Sequence, residues 1–197
     1  KIEGVGNIHN QWVDAHLLRG QRYLKEDKPE EAIADFRKAL EYPEHLEVGA
    51  NNRERQVQYF LAKAHESRGE EQLAREHYGK AVEDNYDWSE MRYHQARALE
   101  ALGKAKPAKE IYAGLIQHGQ DQLNATESED FFEKFSEDEF PEARRADAYF
   151  LIGLGYLGQG NLRRAEQELK KAKDLNPAHL GATVYLRRLE DGEVSVR

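Results

Sequence analysis

A spacing pattern that occurs four times along the chain constrains its fold more than any other feature. Each copy has a small residue, an alanine twelve residues later, an aromatic residue or leucine four further on, and an alanine or leucine three beyond that. The four copies are Gly20, Ala32, Phe36 and Ala39; Ala62, Ala74, Tyr78 and Ala81; Ala96, Ala108, Tyr112 and Leu115; and Gly153, Ala165, Leu169 and Ala172. Apolar residues recur at spacings of three and four, and the prolines flank these periodic segments, so the pattern predicts pairs of helices.

The pattern has a steric explanation. A small residue on the first helix of a pair allows the second helix to cross closely, and small residues on the second helix admit the next pair. We therefore expect Ala32, Ala74 and Ala165 to be buried between helices. Seven residues after each small residue there is a predicted turn. The residues at this turn position are Asp27, Gly69, Gly103 and Gly160.

The four copies resemble the tetratricopeptide repeat (TPR), a helix-turn-helix unit of about 34 residues. The resemblance covers roughly residues 12–177. It implies an all-α fold, a right-handed superhelix of about four helix pairs followed by a C-terminal capping helix. We predict a single domain over 1–197, with repeats near 13–46, 55–88, 89–116 and 146–179, an insert at 117–145 and a capping helix at 178–190.

A narrower resemblance comes from three strings: ALEYPEHLEVG (39–49), LIGLGYLGQG (151–160) and LNPAHLGA (175–182). They resemble the C-terminal TPR segment of one family of large bacterial proteins with a β-rich N-terminal region of unknown function. The resemblance implies a bacterial parent protein, in some cases related to carbohydrates. Because the chain opens at Lys1 rather than at methionine, we expect it to be part of such a longer protein.

Composition excludes several classes of function. With 37 acidic and 29 basic residues the net charge is −8, which speaks against nucleic acid or an anionic membrane as the partner. The chain has no cysteine, so it has neither a disulfide framework nor a thiolate metal site. It shows no apolar run of roughly 18 residues and no signal-peptide pattern, and a cytoplasmic location is favoured.

The sequence carries no motif that predicts catalysis. There is no phosphate-binding loop, nucleophile elbow or zinc-protease helix, because His65 and Glu66 are not followed by a second histidine at the required spacing. The four glycines between 153 and 160 fit close helix packing. We therefore predict no enzyme activity, no cofactor and no metal site.

The first helices of stacked repeats line the concave face of a helical solenoid, which is where such proteins usually bind their partners. We call the residues three before and one after each small residue the groove positions. The first set is Leu17, Tyr59, Tyr93 and Phe150, and the second set is Gln21, Lys63, Arg97 and Leu154. Tyrosine, lysine and arginine suit a partner that is extended and carries carboxylates. The alternative is that the aromatic residues pack between helices and the cations pair with neighbouring glutamates.

The insert is strongly acidic between Glu127 and Glu142 and contains Phe131, Phe132 and Phe135 at helical spacing. Three interpretations remain open: a structural flap packed on the repeats, a docking segment for a basic partner, or an internal plug over Lys63 and Arg97. The spacing of the phenylalanines favours partial helix.

These observations predict a non-catalytic scaffold that binds a peptide or protein in its groove. The alternative is an internal structural module that packs on the parent's own N-terminal domain or mediates self-association. Nothing in the sequence fixes the oligomeric state.

Overall fold

The computed structural model describes residues 5–41, 53–83, 88–132 and 141–193. Within these ranges there are nine helices and no strand. The helices are α1 (Val5–Lys25), α2 (Pro29–Leu40), α3 (Glu54–Ser67), α4 (Glu71–Ala81), α5 (Glu90–Ala101), α6 (Ala105–Phe132), α7 (Pro141–Gly158), α8 (Leu162–Leu175) and α9 (Leu180–Glu190). The predicted fold class, an all-α arrangement of about four helix pairs and a C-terminal helix, is confirmed for these residues.

The four turn positions share one backbone conformation. Their φ angles are positive: 57° at Asp27, 71° at Gly69, 77° at Gly103 and 75° at Gly160. In each turn the following residue donates its N–H to a carbonyl five residues back, for example from Glu70 to His65 at 3.0 Å. This is the bond that closes a helix with a left-handed residue at its end, and glycine meets that requirement without steric cost.

The chain divides into two compact units. Unit 1 consists of Lys1–Asn85 and Arg97–Lys104, and unit 2 consists of Tyr86–Ala96 and Ala105–Arg197. The boundary falls within α5. The prediction of a single domain and its repeat boundaries stays a prediction.

Unit 1 packs α2 on α1 and α3, and α4 on α3. Its main core is built from aliphatic and aromatic side chains, among them Val13, Leu17, Phe36, Phe60 and Leu61. A Cβ atom on Gly20 would lie 2.3 Å from the ring of Phe36, so only glycine permits this crossing of α1 and α2.

Unit 2 packs α7 between α6 and α8, and α9 on α8. The same steric rule holds here, because a Cβ atom on Gly153 would lie 2.8 Å from Leu169. Gly20 and Gly153 are equivalent in the repeat, and so are their partners Phe36 and Leu169. The expected burial of Ala32, Ala74 and Ala165 is also confirmed.

The acidic insert begins as a continuation of a helix. The helix α6 has 28 residues and runs without a break from the third repeat to Phe132. Residues 133–140, including Phe135, lie outside the described part of the chain, and so do the side chains of Phe131 and Phe132. The three interpretations of the insert stay predictions.

Candidate ligand-binding faces of the two units

The groove positions of unit 1 lie on α1, α3 and the last part of α5. Leu17 is buried in the core, whereas Gln21, Tyr59, Lys63 and Arg97 are partly exposed. Tyr59 rests its ring against Phe60 and Tyr78 at centroid distances of 5.2 and 6.0 Å. The groove positions of unit 1 therefore present one aromatic edge and two cations to solvent.

Both cations pair with a glutamate one turn further along their own helix. Lys63 donates to Glu66, and 40% of the Lys63 side chain remains exposed. Arg97 lies 3.4 Å from Glu100, with 37% of its side chain exposed. The alternative interpretation of the groove positions predicted such pairing of the cations with neighbouring glutamates. Exposed pairs of this kind contribute roughly 0–1 kcal/mol, so a carboxylate ligand can exchange for the glutamate at low cost.

Tyr78 contacts the first of these ion pairs. Its hydroxyl donates to Glu66 at 3.2 Å. Burial and the nearby charge of Glu66 raise the pKa of Tyr78, while the charge of Arg97 acts in the opposite direction. The phenol therefore stays protonated and holds Glu66 in place beside Lys63.

The groove positions of unit 2 are closed. Tyr93 on α5 is 6% exposed, Phe150 on α7 is 6% exposed and Leu154 on α7 is fully buried. Tyr185 of α9 covers the two rings, with centroid distances of 5.6 Å to Tyr93 and 5.9 Å to Phe150. An external ligand does not reach these side chains while α9 is in place.

A buried polar cluster lies beside these rings. The Tyr185 hydroxyl donates to Glu90 at 3.2 Å and lies 3.4 Å from Nε2 of His94. The same nitrogen of His94 lies 3.2 Å from the Glu90 carboxylate. Burial, followed by the charge of Glu90, raises the pKa of Tyr185 well above its usual value. Tyr185 is therefore a permanent hydrogen-bond donor in this cluster.

Unit 1 holds two further polar clusters, and both connect neighbouring helices. Arg19 donates to Asp35 from two nitrogens, at 2.5 and 2.6 Å, and His16 lies 3.1 Å from the same carboxylate. The hydrogen bond from Arg19 lowers the pKa of Asp35. This network links α1 to α2 in addition to their apolar contact at Gly20 and Phe36.

The second cluster is a pair of stacked imidazoles. His65 on α3 and His77 on α4 stack at 5.1 Å with their planes 5° apart. His65 contacts Glu70 at 2.6 Å through Nδ1, and His77 contacts Gln58 at 2.6 Å through Nδ1. Burial, and then the neighbouring His65, lowers the pKa of His77 to about 4.

Neither cluster has the composition of a metal centre. Across the described ranges no group of three or more histidine, aspartate or glutamate side chains is arranged to hold a metal ion. In the same ranges, no helix combines the length and apolar character that crossing a membrane requires.

The sequence analysis did not identify Glu90, His94 and Tyr185 as a group. Glu90 and His94 are four residues apart, so their pairing on one helix face could have been predicted from the spacing. The participation of Tyr185, which is 91 residues beyond His94, has no local signal.

Comparison with protein-family models identifies three matching segments. A tetratricopeptide-repeat model matches residues 13–45 and 146–179, and a second tetratricopeptide-repeat model matches residues 90–118. The second predicted repeat, near 55–88, lies between these segments.

Several solved structures are similar to the chain at low identity. MamA from Desulfovibrio magneticus RS-1 is 18% identical, with 92% of this chain and 86% of that chain covered and a TM-score of 0.33. YrrB, described as a TPR protein with an unusual peptide-binding site, is 18% identical, with coverages of 87% and 90% and a TM-score of 0.33. The TPR2AB domain of yeast Sti1, solved in a complex with pHSP90, is 14% identical, with coverages of 93% and 86% and a TM-score of 0.34.

Proposed function

Because the chain is a tetratricopeptide-repeat protein, we propose that it is a non-catalytic protein-interaction module whose open binding face lies in unit 1. The face consists of the four partly exposed groove positions, Gln21, Tyr59, Lys63 and Arg97. Stacked helical repeats bind partners through the side chains that their first helices expose on the concave face. The observation that carries the proposal is the exposure of these four positions beside two weak ion pairs.

The chemistry of this face favours an extended partner segment that carries carboxylates. Lys63 and Arg97 lie at equivalent positions of consecutive repeats, 34 residues apart in the chain. A ligand carboxylate gains a charge-assisted hydrogen bond to either cation and displaces a glutamate whose pairing is worth little in water. Tyr59 adds an aromatic edge, and tyrosine and arginine are enriched at the energetic centres of interfaces.

Binding is tested on an array of extended peptides of equal length that differ only in charge. We expect the acidic peptides to bind, and their affinity to weaken as salt is added, because exposed charges are screened. Replacing Arg97 by alanine should cost roughly 1.5–3 kcal/mol of binding free energy if its hydrogen bond is to a carboxylate. Arg75, an exposed arginine on α4, is the matched control, and Arg75→Ala should leave the affinity unchanged.

Two results would count against the proposal. Unchanged affinity in both Arg97→Ala and Lys63→Ala, with the fold preserved by circular dichroism, would place the binding face elsewhere. Failure of every peptide to bind, together with concentration-dependent self-association of the chain, would favour the alternative of an internal structural or oligomerisation module.

A further inference from the structure

The C-terminal helix α9 contacts more of unit 2 than a terminal cap needs. A cap has to cover the exposed face of the last helix pair, and α9 does pack on α8. Tyr185 of α9 also reaches α5, where its hydroxyl contacts Glu90 and His94. In sequence, α5 belongs to the third repeat and α9 follows the fourth. The contact therefore joins α9 to the first helix of a repeat that is not its neighbour.

The surface that receives Tyr185 is built from groove positions. Tyr93 and Phe150 stand three residues before the small residues of their repeats, as Tyr59 does in unit 1. Their rings pack against Tyr185, and the carboxylate of Glu90 accepts a hydrogen bond from its hydroxyl. This site combines an aromatic wall with one partly buried acceptor, which is the composition that a tyrosine side chain requires.

The backbone of α9 is fitted to the same site. A Cβ atom on Gly181 would lie 2.5 Å from the ring of Phe150, so only glycine allows the helix to approach this closely. Arg188 lies over the Tyr185 ring, with its guanidinium carbon 5.0 Å from the ring centroid. Gly181 and Tyr185 are the residues of α9 that meet the site, and they form a recognition pattern, Gly-x-x-x-Tyr, on one face of the helix.

The short length and limited burial of α9 allow it to be released from unit 2. It has 11 residues, fewer than the ~12–15 that an isolated helix needs to persist in water. Its buried residues are Ala182, Tyr185 and Leu186, while Leu180 is 45% exposed. A helix held by so few buried side chains opens locally at a lower free energy than the unfolding of the whole unit.

We propose that the groove positions of unit 2 form a second binding site, which is specific for a helical segment carrying the pattern Gly-x-x-x-Tyr and which α9 occupies as an internal ligand. A partner helix with this pattern takes the place of α9 by local opening of the C-terminal segment. The site is distinct from the open face of unit 1, and its existence does not depend on peptide binding there.

The test uses the full chain and a synthetic peptide of residues 178–193 as the probe. The wild-type chain should bind the probe weakly, because its own α9 fills the site. A Tyr185→Ala chain should bind the probe at least roughly tenfold more tightly, because the buried phenol contributes at least that factor to the retention of α9. Probes carrying Tyr185→Ala or Gly181→Leu should not bind. The matched control chain is Tyr149→Ala, which removes a half-buried tyrosine of α7 outside the site and should behave as wild type.

Hydrogen exchange provides a readout that does not need the alanine variant to fold. The amides of α9 should exchange faster than those of α7 in the wild-type chain. A Tyr185→Phe chain keeps the ring and loses only the bonds to Glu90 and His94, so it should accelerate exchange in α9 by roughly tenfold while leaving α7 unchanged. The proposal is wrong if α9 exchanges only together with α7 in both chains, or if a folded Tyr185→Ala chain fails to bind the wild-type probe.

Discussion

Tyr59 in unit 1 and Tyr93 in unit 2 hold the same position of their repeats, yet they meet different surroundings. Tyr59 keeps an exposed edge beside Lys63 and its glutamate partner. Tyr93 is closed off by Tyr185 and takes part in the core of its unit. The second groove position differs in the same way, since Lys63 is partly exposed whereas Leu154 is fully buried.

The difference shows what a repeat register does and does not decide. The register places a side chain on a particular face of a particular helix. Whether that face stays open depends on what later packs over it, and in unit 2 the covering element is α9.

Exchanging leucine and lysine at the second groove position should strongly destabilise unit 2 and leave the stability of unit 1 nearly unchanged. Leu154→Lys places an ammonium group at a fully buried site, where desolvation shifts a lysine pKa by up to about 3–5 units, and the free energy of unfolding should fall by about 4–6 kcal/mol. Lys63→Leu changes a partly exposed residue and should alter stability by less than about 0.5 kcal/mol. Urea denaturation followed by circular dichroism measures both. A folded, stable Leu154→Lys chain would show that the site in unit 2 is open after all.

Replacing the tyrosine at the first groove position by alanine should also cost more stability in unit 2 than in unit 1, but the difference between the units should be smaller. Tyr93→Ala removes a buried ring that contacts Tyr112 and Tyr185, and it should cost about 3–5 kcal/mol. Tyr59→Ala removes a partly exposed ring and should cost about 1–2 kcal/mol. Thermal and urea midpoints of the two variants give the comparison. Equal losses would mean that the two tyrosines are equally buried in solution.

Acid should destabilise unit 1 through His77. Because its folded pKa is about 4, the unfolded chain, in which histidine titrates near 6.5, takes up the proton first as the pH falls. The stabilising contribution of neutral His77 is therefore complete above pH ~6.5 and is lost between about pH 6.5 and 4. The pKa difference corresponds to about 3 kcal/mol, which solvent screening of this partly exposed ring reduces to about 2 kcal/mol. The ionised Asp35 also has a lowered pKa, but its contribution disappears only below about pH 4.

The variant His77→Gln isolates this effect. It cannot take up a proton, and its side chain can still contact Gln58. Thermal midpoints of the wild type and of His77→Gln, measured between about pH 7 and pH 4.5, should diverge as the pH falls. Parallel profiles would show that His77 titrates normally and is not buried against His65.

Substitutions at the turn positions should have the smallest effect on stability. Asp27 is the one non-glycine residue with positive φ in the described ranges, and Asp27→Gly should stabilise the chain by about 0.5–1 kcal/mol. Gly69→Ala should destabilise it by about 1–2 kcal/mol, and the cost is purely that of the backbone, because a Cβ atom at Gly69 meets nothing within 4 Å. Denaturant midpoints test the pair, and a neutral or destabilising Asp27→Gly would show that the Asp27 side chain supports its turn.

Much of the fold could be predicted because the information is local. Helix pairs, their turns and the close crossings at Gly20 and Gly153 all follow from residues fewer than twenty positions apart. The equivalence of Asp27 with three glycines, read from spacing alone, corresponds to a shared left-handed conformation. The length of α6 was not predicted, because nothing at residue 117 breaks the helix and the predicted boundary rested on repeat spacing.

The binding faces show where local information ends. Spacing and residue size were enough to predict which residues occupy groove positions, because a helical register follows from them. Tertiary structure alone decided that Lys63 and Arg97 remain partly exposed while Tyr93, Phe150 and Leu154 are buried. The reason is that burial depends on contacts between segments far apart in the chain, and the hydrogen bond from Tyr185 to Glu90 spans 95 residues that no local periodicity connects.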